Sequence, residues 1–457
     1  MVQSPLVAFM LAAPSSGSGK TLASLLFAHK LRKAGLTLQT FKVGPDFIDP
    51  IHLTRVSGRP CIQLDRFFLG DKQLKGLFAR HSEGAGAVLV EGTMGLFDGS
   101  LGGKPDTSSA AIAKLLGLRV VLVVDVAKMA RSAAALIHGF SSYDPDVRLL
   151  GVVLNRVAGK RHAEAIVGEV EGTLKVPVLG SLPKLAAPPI LERHLGLHLA
   201  HETDYGFLET LSPFVSSPEK IEARLGSRAL PLLSGLQKRP RTVPTPKFKL
   251  GVVRDEAFLF YYEENLAFLT EIGIELVFFS PLNDRTLPKG LDGLYLGGGY
   301  PELFAGRLSK NEPMLRDIRA FTSSGRPVYA ECGGMALLAS TLLIKGERYP
   351  MAGALDTSVE FPAASKRMGY RRVRLRHGCL FGKAGDELLG HEFHYSGLLG
   401  GAQEKAAPYE LFDSSGEMLG YEGIAQKNVL ASYVHLYFRA TPQHTKAAFL
   451  SALARSA

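Results

Sequence analysis

A cysteine set between an apolar run and two glycines can act as a nucleophile, and Pro327-Val328-Tyr329-Ala330-Glu331-Cys332-Gly333-Gly334 has that form. The run reads as a strand and the glycines permit a sharp, strained turn. The helix that follows aims its N-terminus at the thiol, which predicts a lowered thiol pKa. A thiol nucleophile also needs a base. His435, closing the β-rich Ser432-Tyr433-Val434-His435 about a hundred residues later, is the candidate. Leu296-Gly297-Gly298-Gly299-Tyr300-Pro301-Glu302 follows another strand and exposes backbone N–H groups, so Gly298 and Gly299 are candidates for an oxyanion hole. The chemistry these residues suit is acyl transfer through a thioester. Cys61 and Cys379 lack such flanks and read as structural thiols.

A second constellation suits phosphate. Ala13-Pro14-Ser15-Ser16-Gly17-Ser18-Gly19-Lys20-Thr21 lies between an apolar strand and an amphipathic helix, where a loop can aim N–H groups and a helix N-terminus at phosphate oxygens. Pro14 stands where the phosphate-loop pattern has its first glycine, so the loop is a variant. Ser16, Gly17, Ser18 and Gly19 supply the backbone cradle and Lys20 reaches the β/γ-phosphates of a nucleotide. Thr21 offers its hydroxyl to Mg²⁺. Magnesium also needs carboxylates, and two strands run into them: Lys42-Val43-Gly44-Pro45-Asp46-Phe47-Ile48-Asp49-Pro50 and Glu91-Gly92-Thr93-Met94-Gly95-Leu96-Phe97-Asp98-Gly99. Acids at the carboxyl ends of parallel strands face the same crevice as the phosphate loop. Any one of them alone reads as a cap or turn residue. Asn155 follows a further strand, in position either to read a base edge or to form a turn. His391 and His394 could suggest metal, but without a third converging ligand they read as substrate contacts or core.

These side chains need a scaffold of strands ending at common edges, and the chain alternates apolar runs with amphipathic stretches as βαβ units do. Strands are expected at 6–12, 38–43, 87–91, 119–125 and 149–154, with helices at 21–34 and 110–116 among them. A Pro-, Lys- and Arg-rich stretch without apolar periodicity, 237–247, is the expected linker. The pattern then restarts, with strands at 249–253, 275–279, 293–296 and 327–330 and a helix at 262–272. The fold class is therefore α/β, with domains at 1–236 and 248–457 in a chain of 457 residues. The net charge of +10 favours anionic partners. It is not gathered on one helix or tail as nucleic-acid binding would ask, so a small anionic substrate is preferred. Apolar runs stop well short of the roughly 18 residues of a membrane span, which argues against a membrane protein. Three scattered cysteines argue for a reducing, cytoplasmic setting.

Taken with the phosphate loop and the motif Glu331-Cys332-Gly333-Gly334, the segments 42–50, 91–99, 297–302, His391-Glu392-Phe393-His394-Tyr395-Ser396 and 432–435 give a specific pattern over nearly the whole chain. It resembles the cobyrinic acid a,c-diamide synthase family, which includes the hydrogenobyrinic acid a,c-diamide synthases. The resemblance implies an N-terminal P-loop domain similar to dethiobiotin synthetase and a C-terminal class I-like glutamine amidotransferase domain. It implies that Cys332 and His435 release ammonia from glutamine, and that ATP activates carboxylates of an anionic corrinoid for amidation in cobalamin biosynthesis. Thr21, Asp46 and Glu91 are then Mg²⁺ or phosphate-site residues, and Asp46, Phe47 and Asp98 lie near the corrinoid. Class I enzymes carry a glutamate two positions after the histidine; here that residue is Tyr437, which reduces the triad to a Cys/His dyad. The partners implied are ATP, glutamine and the corrinoid, and a homodimer is compatible with them. Rival substrates are hydrogenobyrinic acid and nickel sirohydrochlorin. A nucleotide switch would carry an extra lysine where Ser15 stands, and it leaves Cys332 and His435 unexplained. A biotin-pathway ligase explains the first half alone.

Overall fold

The computed structural model describes residues 7–100, 105–190, 192–193, 196–226, 244–363, 366–399 and 406–455. The chain divides into two compact units, Met1–Arg239 and Pro240–Ala457. Of the expected linker 237–247, only 244–247 lie within the described residues.

The first unit alternates β1 (Val7–Ala12), α1 (Lys20–Lys33), β2 (Leu38–Val43), α2 (Ile48–Ser57), β3 (Ile62–Leu64), α3 (Asp71–Ser82), β4 (Ala87–Glu91), α4 (Ser109–Leu116), β5 (Arg119–Asp125), α5 (Ser132–Ser142), β6 (Leu149–Val157), α6 (Lys160–Gly172) and β7 (Val178–Pro183). The seven strands pair in the order β3-β2-β4-β1-β5-β6-β7, all parallel. A parallel sheet covered on both faces needs apolar residues in sequence rather than in alternation. That is why Val120 to Val124 are wholly buried in a row. Helix boundaries follow local chemistry: Ser108 caps α4 by accepting from the Ala111 N–H, and Gly117 ends it in the left-handed conformation. β1 is the central strand, so the loop after it opens where the order of strands reverses. β6 outruns its expected end at Leu154 because the register shifts before Val157, with Arg156 at φ +60°.

In the second unit, strands Ile274–Phe279, Phe248–Val253, Gly293–Leu296, Val328–Glu331 and Val429–Ser432 form a parallel sheet in that order, closed by the antiparallel Ile424–Gln426. Two further sheets, absent from the sequence reading, draw their strands from within 341–422 and from 434–436. One has five antiparallel strands, in the order Met418–Glu422, Tyr409–Phe412, Arg367–Leu375, Glu387–His394 and Val434–Leu436. The chain leaves the first sheet at Ser432 and joins the second at Val434. Tyr433 is the hinge between them.

Candidate active sites

Cys332 caps the short helix Gly333–Leu338 with φ +47° and ψ −103°, a conformation that bulky residues reach only under constraint. The constraint includes the neighbouring strand, since the Cys332 N–H donates to Ser432 O at 2.7 Å. This is the sharp strand-to-helix turn expected of an exposed nucleophile, although the residue itself is 8% exposed. The expected lowering of the thiol pKa is corrected by the structure. Burial first, and then the Glu302 carboxylate, push the thiol above its ordinary range. The helix behind it has fewer than two turns and a correspondingly small dipole. Cys332 therefore rests as a thiol and needs a base.

His435 reaches the same place from the other sheet. Its segment is held on both sides: Glu422 accepts from Ser432 Oγ and from the Tyr433 N–H, while Asn265 donates to Leu436 O and accepts from the Phe438 N–H. The ring is buried, with Nδ1 3.3 Å from Glu331 Oε2. Its opposite edge packs on the glycine loop so closely that a Cβ on Gly298 would overlap Cε1 and lie 3.2 Å from Nε2. Gly298 is held by an antiparallel bridge to Phe260, whose N–H donates to Gly298 O at 3.0 Å. A Cβ on Gly333 would lie 3.0 Å from the Gly299 amide, so the elbow and the loop are in contact. The glycine loop thus meets the imidazole at Gly298 and the thiol turn at Gly299, the grouping that acyl transfer asks for. Gly298→Ala should therefore lower acyl transfer at Cys332 by at least about 100-fold through displacement of the ring, while overpacking costs about 1–3 kcal/mol of stability. Steady-state kinetics and thermal melts of the variant check both numbers.

The expected contact histidines separate in the structure. His394 stacks on Tyr433, centroids 3.7 Å apart, and both its nitrogens face acceptors, Glu392 Oε1 at 2.7 Å and Ser396 O at 2.6 Å. Burial works against the Glu392 carboxylate, but His394 and Arg371 outweigh it and hold the group down at about 2. His391 pairs with His435 across the strands, and burial pulls its imidazole down to about 3.

In the first unit the loop after β1 folds as a nest. Gly17 and Gly19 take φ +76° and +95°, and α1 starts at Lys20. Ser18 is buried, its Oγ donating to Ser15 O at 3.0 Å, while Ser16 is exposed. Lys20 Nζ donates to Met94 O at 2.5 Å and to Ser15 O at 3.2 Å. Burial, and then repulsion from Lys42, pull its ammonium down to about 8. Asn155 Nδ2 donates to Ser18 O at 2.9 Å, and its amide occupies the space a Cβ on Gly19 would need. In this structure Asn155 braces the loop.

Thr21 Oγ1 donates to Glu91 Oε1 at 3.0 Å, joining the phosphate loop to the end of β4. The second oxygen of the buried Glu91 has no hydrogen-bond partner among the described residues. Asp46 and Asp98 both close turns: Asp46 Oδ1 accepts from the Ile48 N–H at 2.8 Å, and Asp98 Oδ2 accepts from the Gly95 N–H at 3.0 Å. Asp98 is exposed, whereas Phe47 is buried at the start of α2. Two residues quoted in the motif but given no role prove central. Lys42 Nζ lies 2.5 Å from Asp49 Oδ2, 2.8 Å from Glu91 Oε1 and 3.9 Å from Asp46 Oδ2. Burial disfavours that ammonium, but Asp49, Glu91 and Asp46 together hold it above the ordinary lysine range. Burial and Asp49 push the Asp46 carboxyl up, while Lys42 keeps Asp49 charged. A lysine inside an expected buried strand, Leu38–Val43, was the available signal.

Comparison with known proteins follows these two sites. Residues 9–193 match the CobQ/CobB/MinD/ParA nucleotide binding domain, and residues 249–443 match the CobB/CobQ-like glutamine amidotransferase domain. The cobyrinate a,c-diamide synthase of Caldanaerobacter subterraneus subsp. tengcongensis is 41% identical over 432 residues, covering 94% of each chain. That of Syntrophotalea carbinolica is 38% identical over 451 residues, covering 96% of this chain and 97% of its own. That of Listeria monocytogenes serovar 1/2a is 38% identical over 437 residues, covering 94% and 96%.

Proposed function

From the premise that the chain belongs to the cobyrinate a,c-diamide synthase family, and so is a glutamine-hydrolysing amide ligase of cobalamin biosynthesis with a nucleotide-binding domain, we propose that it converts the a and c side-chain carboxylates of cobyrinic acid into amides. The work divides between a synthetase domain, 1–236, and an amidotransferase domain, 248–457, joined by the linker 237–247. The observation that carries the reading is the strained Cys332 turn with His435 and the Gly298 and Gly299 amides around it.

Cys332 Sγ attacks the carboxamide carbon of glutamine as His435 takes the thiol proton, and the oxyanion rests on the Gly298 and Gly299 N–H groups. Collapse breaks the C–N bond, and His435 returns the proton to the leaving nitrogen as ammonia departs. Water, deprotonated by His435, then opens the γ-glutamyl thioester to glutamate and free thiol. In the synthetase domain the γ-phosphoryl group of ATP passes to a corrinoid carboxylate, giving ADP and an acyl phosphate. Ammonia attacks the acyl carbon and phosphate leaves. Ser16, Gly17, Ser18 and Gly19 cradle the phosphates, Lys20 neutralises the transferring group, and Asn155 braces the cradle.

Thr21 with the unpartnered Glu91 oxygen and Asp46 fits the oxygen donor set of Mg²⁺, and these residues would hold it. Bound there, the ion would supply positive charge to offset the negative charge of the phosphates. Asp98, exposed on the loop after β4, and the neighbourhood of Phe47 are the proposed corrinoid contacts. The +10 net charge suits a polycarboxylate. No helix among the described residues is long and apolar enough to cross a membrane, and the proposed setting is cytoplasmic.

The test is mass spectrometry of reactions with ATP, Mg²⁺ and glutamine, offered cobyrinic acid and hydrogenobyrinic acid in parallel. Two successive carboxyl-to-amide conversions of cobyrinic acid are expected. Conversion of the metal-free macrocycle alone would reassign the substrate, and conversion of neither would overturn the reading and turn attention to nickel sirohydrochlorin.

A further inference from the structure

The position that carries the orienting glutamate in class I amidotransferases is Tyr437 here, buried with its ring edge-on to Tyr262 at 5.2 Å. A carboxylate nevertheless stands beside the histidine. Glu331 immediately precedes Cys332 and ends the strand Val328–Glu331, whose register sets it opposite Ser432 on the neighbouring strand. From there its side chain, 1% exposed, reaches His435: Oε2 lies 3.3 Å from Nδ1. The carboxylate is locked from three other directions. Tyr329 Oη donates to Oε1 at 2.6 Å, Tyr295 Oη donates to Oε2 at 2.9 Å, and the Leu436 N–H donates to Oε1 at 3.1 Å.

We propose that Glu331 is the positioning residue of the glutaminase centre, holding the proton of His435 on Nδ1 so that Nε2, on the Gly298 side, is the base for Cys332. The inference rests on the glutaminase reading above. Its logic is that of an acid–imidazole pair: a buried carboxylate accepts from one ring nitrogen, fixes the tautomer and orientation, and stabilises the imidazolium formed when the other nitrogen takes the thiol proton. The 3.3 Å separation is just outside the usual 2.7–3.2 Å range of N–H···O bonds. Such contacts tighten when substrate binds. The triad is thus complete, with its acid supplied from the strand of the nucleophile instead of the strand of the histidine. Both partners of His435 are then fixed by one segment, because Glu331 and Cys332 are adjacent.

Glu331→Gln is the decisive variant, because its amide can donate to Nδ1 and so move the imidazole proton to Nε2. Glutaminase kcat should fall by about 10³-fold with the KM for glutamine within about threefold, and amidation from added ammonia should persist. Glu331→Asp, which restores the acceptor at a longer reach, should recover at least about tenfold of that loss. A structural role alone would not move the tautomer, so ¹⁵N NMR of histidine-labelled full-length protein gives an independent reading. The expected state of His435 is Nδ1–H in the wild type and Nε2–H in Glu331→Gln. A kcat within threefold of wild type in Glu331→Gln, or an Nε2–H tautomer in the wild type, overturns the proposal, and the wild-type measurement stands even if the variant does not fold. Cys332→Ser run in parallel separates the two claims, since glutaminase surviving in that variant would remove the underlying reading instead.

Discussion

Cys332→Ser is expected to lose glutamine-dependent amidation and glutaminase activity by about 10⁴-fold or more, while amidation driven by an ammonium salt continues near the wild-type rate. The magnitude follows from the division of labour. The thiol is held neutral by burial, and the proposed mechanism depends on its transfer of a proton to His435 followed by attack of a polarisable sulfur. A hydroxyl at the same strained turn is far less acidic and far less nucleophilic. Cys332 belongs to the second unit and the loop ahead of Lys20 to the first, so on the proposed division of labour the synthetase chemistry continues when ammonia is supplied. The measurement is glutamate release beside mass-spectrometric amide counting with each nitrogen donor. Loss of activity with both donors would break the proposed separation of ammonia production from ammonia use.

Lys20→Ala is expected to do the reverse. Amidation should fall by about 10³-fold with either donor, because removal of a buried cation from a transferring phosphoryl group cannot be offset by a better nucleophile. Glutaminase should survive in measurable part. The resting loop adds a second signature. Burial and Lys42 hold the Lys20 ammonium near 8, and a phosphate anion placed against it would raise that value. Nucleotide binding between about pH 8 and 9 should then take up protons, with the sign set by a pKa that is low when free and higher when bound. Calorimetry in two buffers of different ionisation enthalpy reads that uptake, and Lys20→Ala should abolish it. Undiminished synthesis by the variant would remove Lys20 from the site.

The sequence carried the two-unit α/β plan because its parallel strands are buried on both faces and print themselves as uninterrupted apolar runs. β1, β4, the body of β5 and the strand ending at Leu296 are of this kind, whereas β2 is buried but carries Gln39, Thr40 and Lys42, and Ile274–Phe279 is half-exposed. Local chemistry was equally legible where it is set by neighbours in sequence. The glycine-bearing loop ahead of Lys20 and the Glu331-Cys332-Gly333-Gly334 turn belong here, since backbone freedom and strand-to-helix geometry are decided within a few residues. The two further sheets of the second unit, one antiparallel and one mixed, were not legible. Their strands, such as Arg367–Leu375, mix arginines with apolar residues in short, half-buried stretches whose pairing depends on distant partners.

The residue types at each strand end, and hence the available acids, base, thiol and phosphate cradle, were determined by the sequence alone. Which of them meet was decided by tertiary structure. Lys42 sits with Asp49 and Glu91 only because β2 lies beside β4 in the sheet. Glu331 reaches His435 only because the chain changes sheets at Tyr433 and brings a residue 104 positions away against the strand end that carries the nucleophile. Burial likewise reversed the expected direction of the Cys332 pKa, since desolvation sums over every neighbour in space and a helix signal records only the neighbours in sequence.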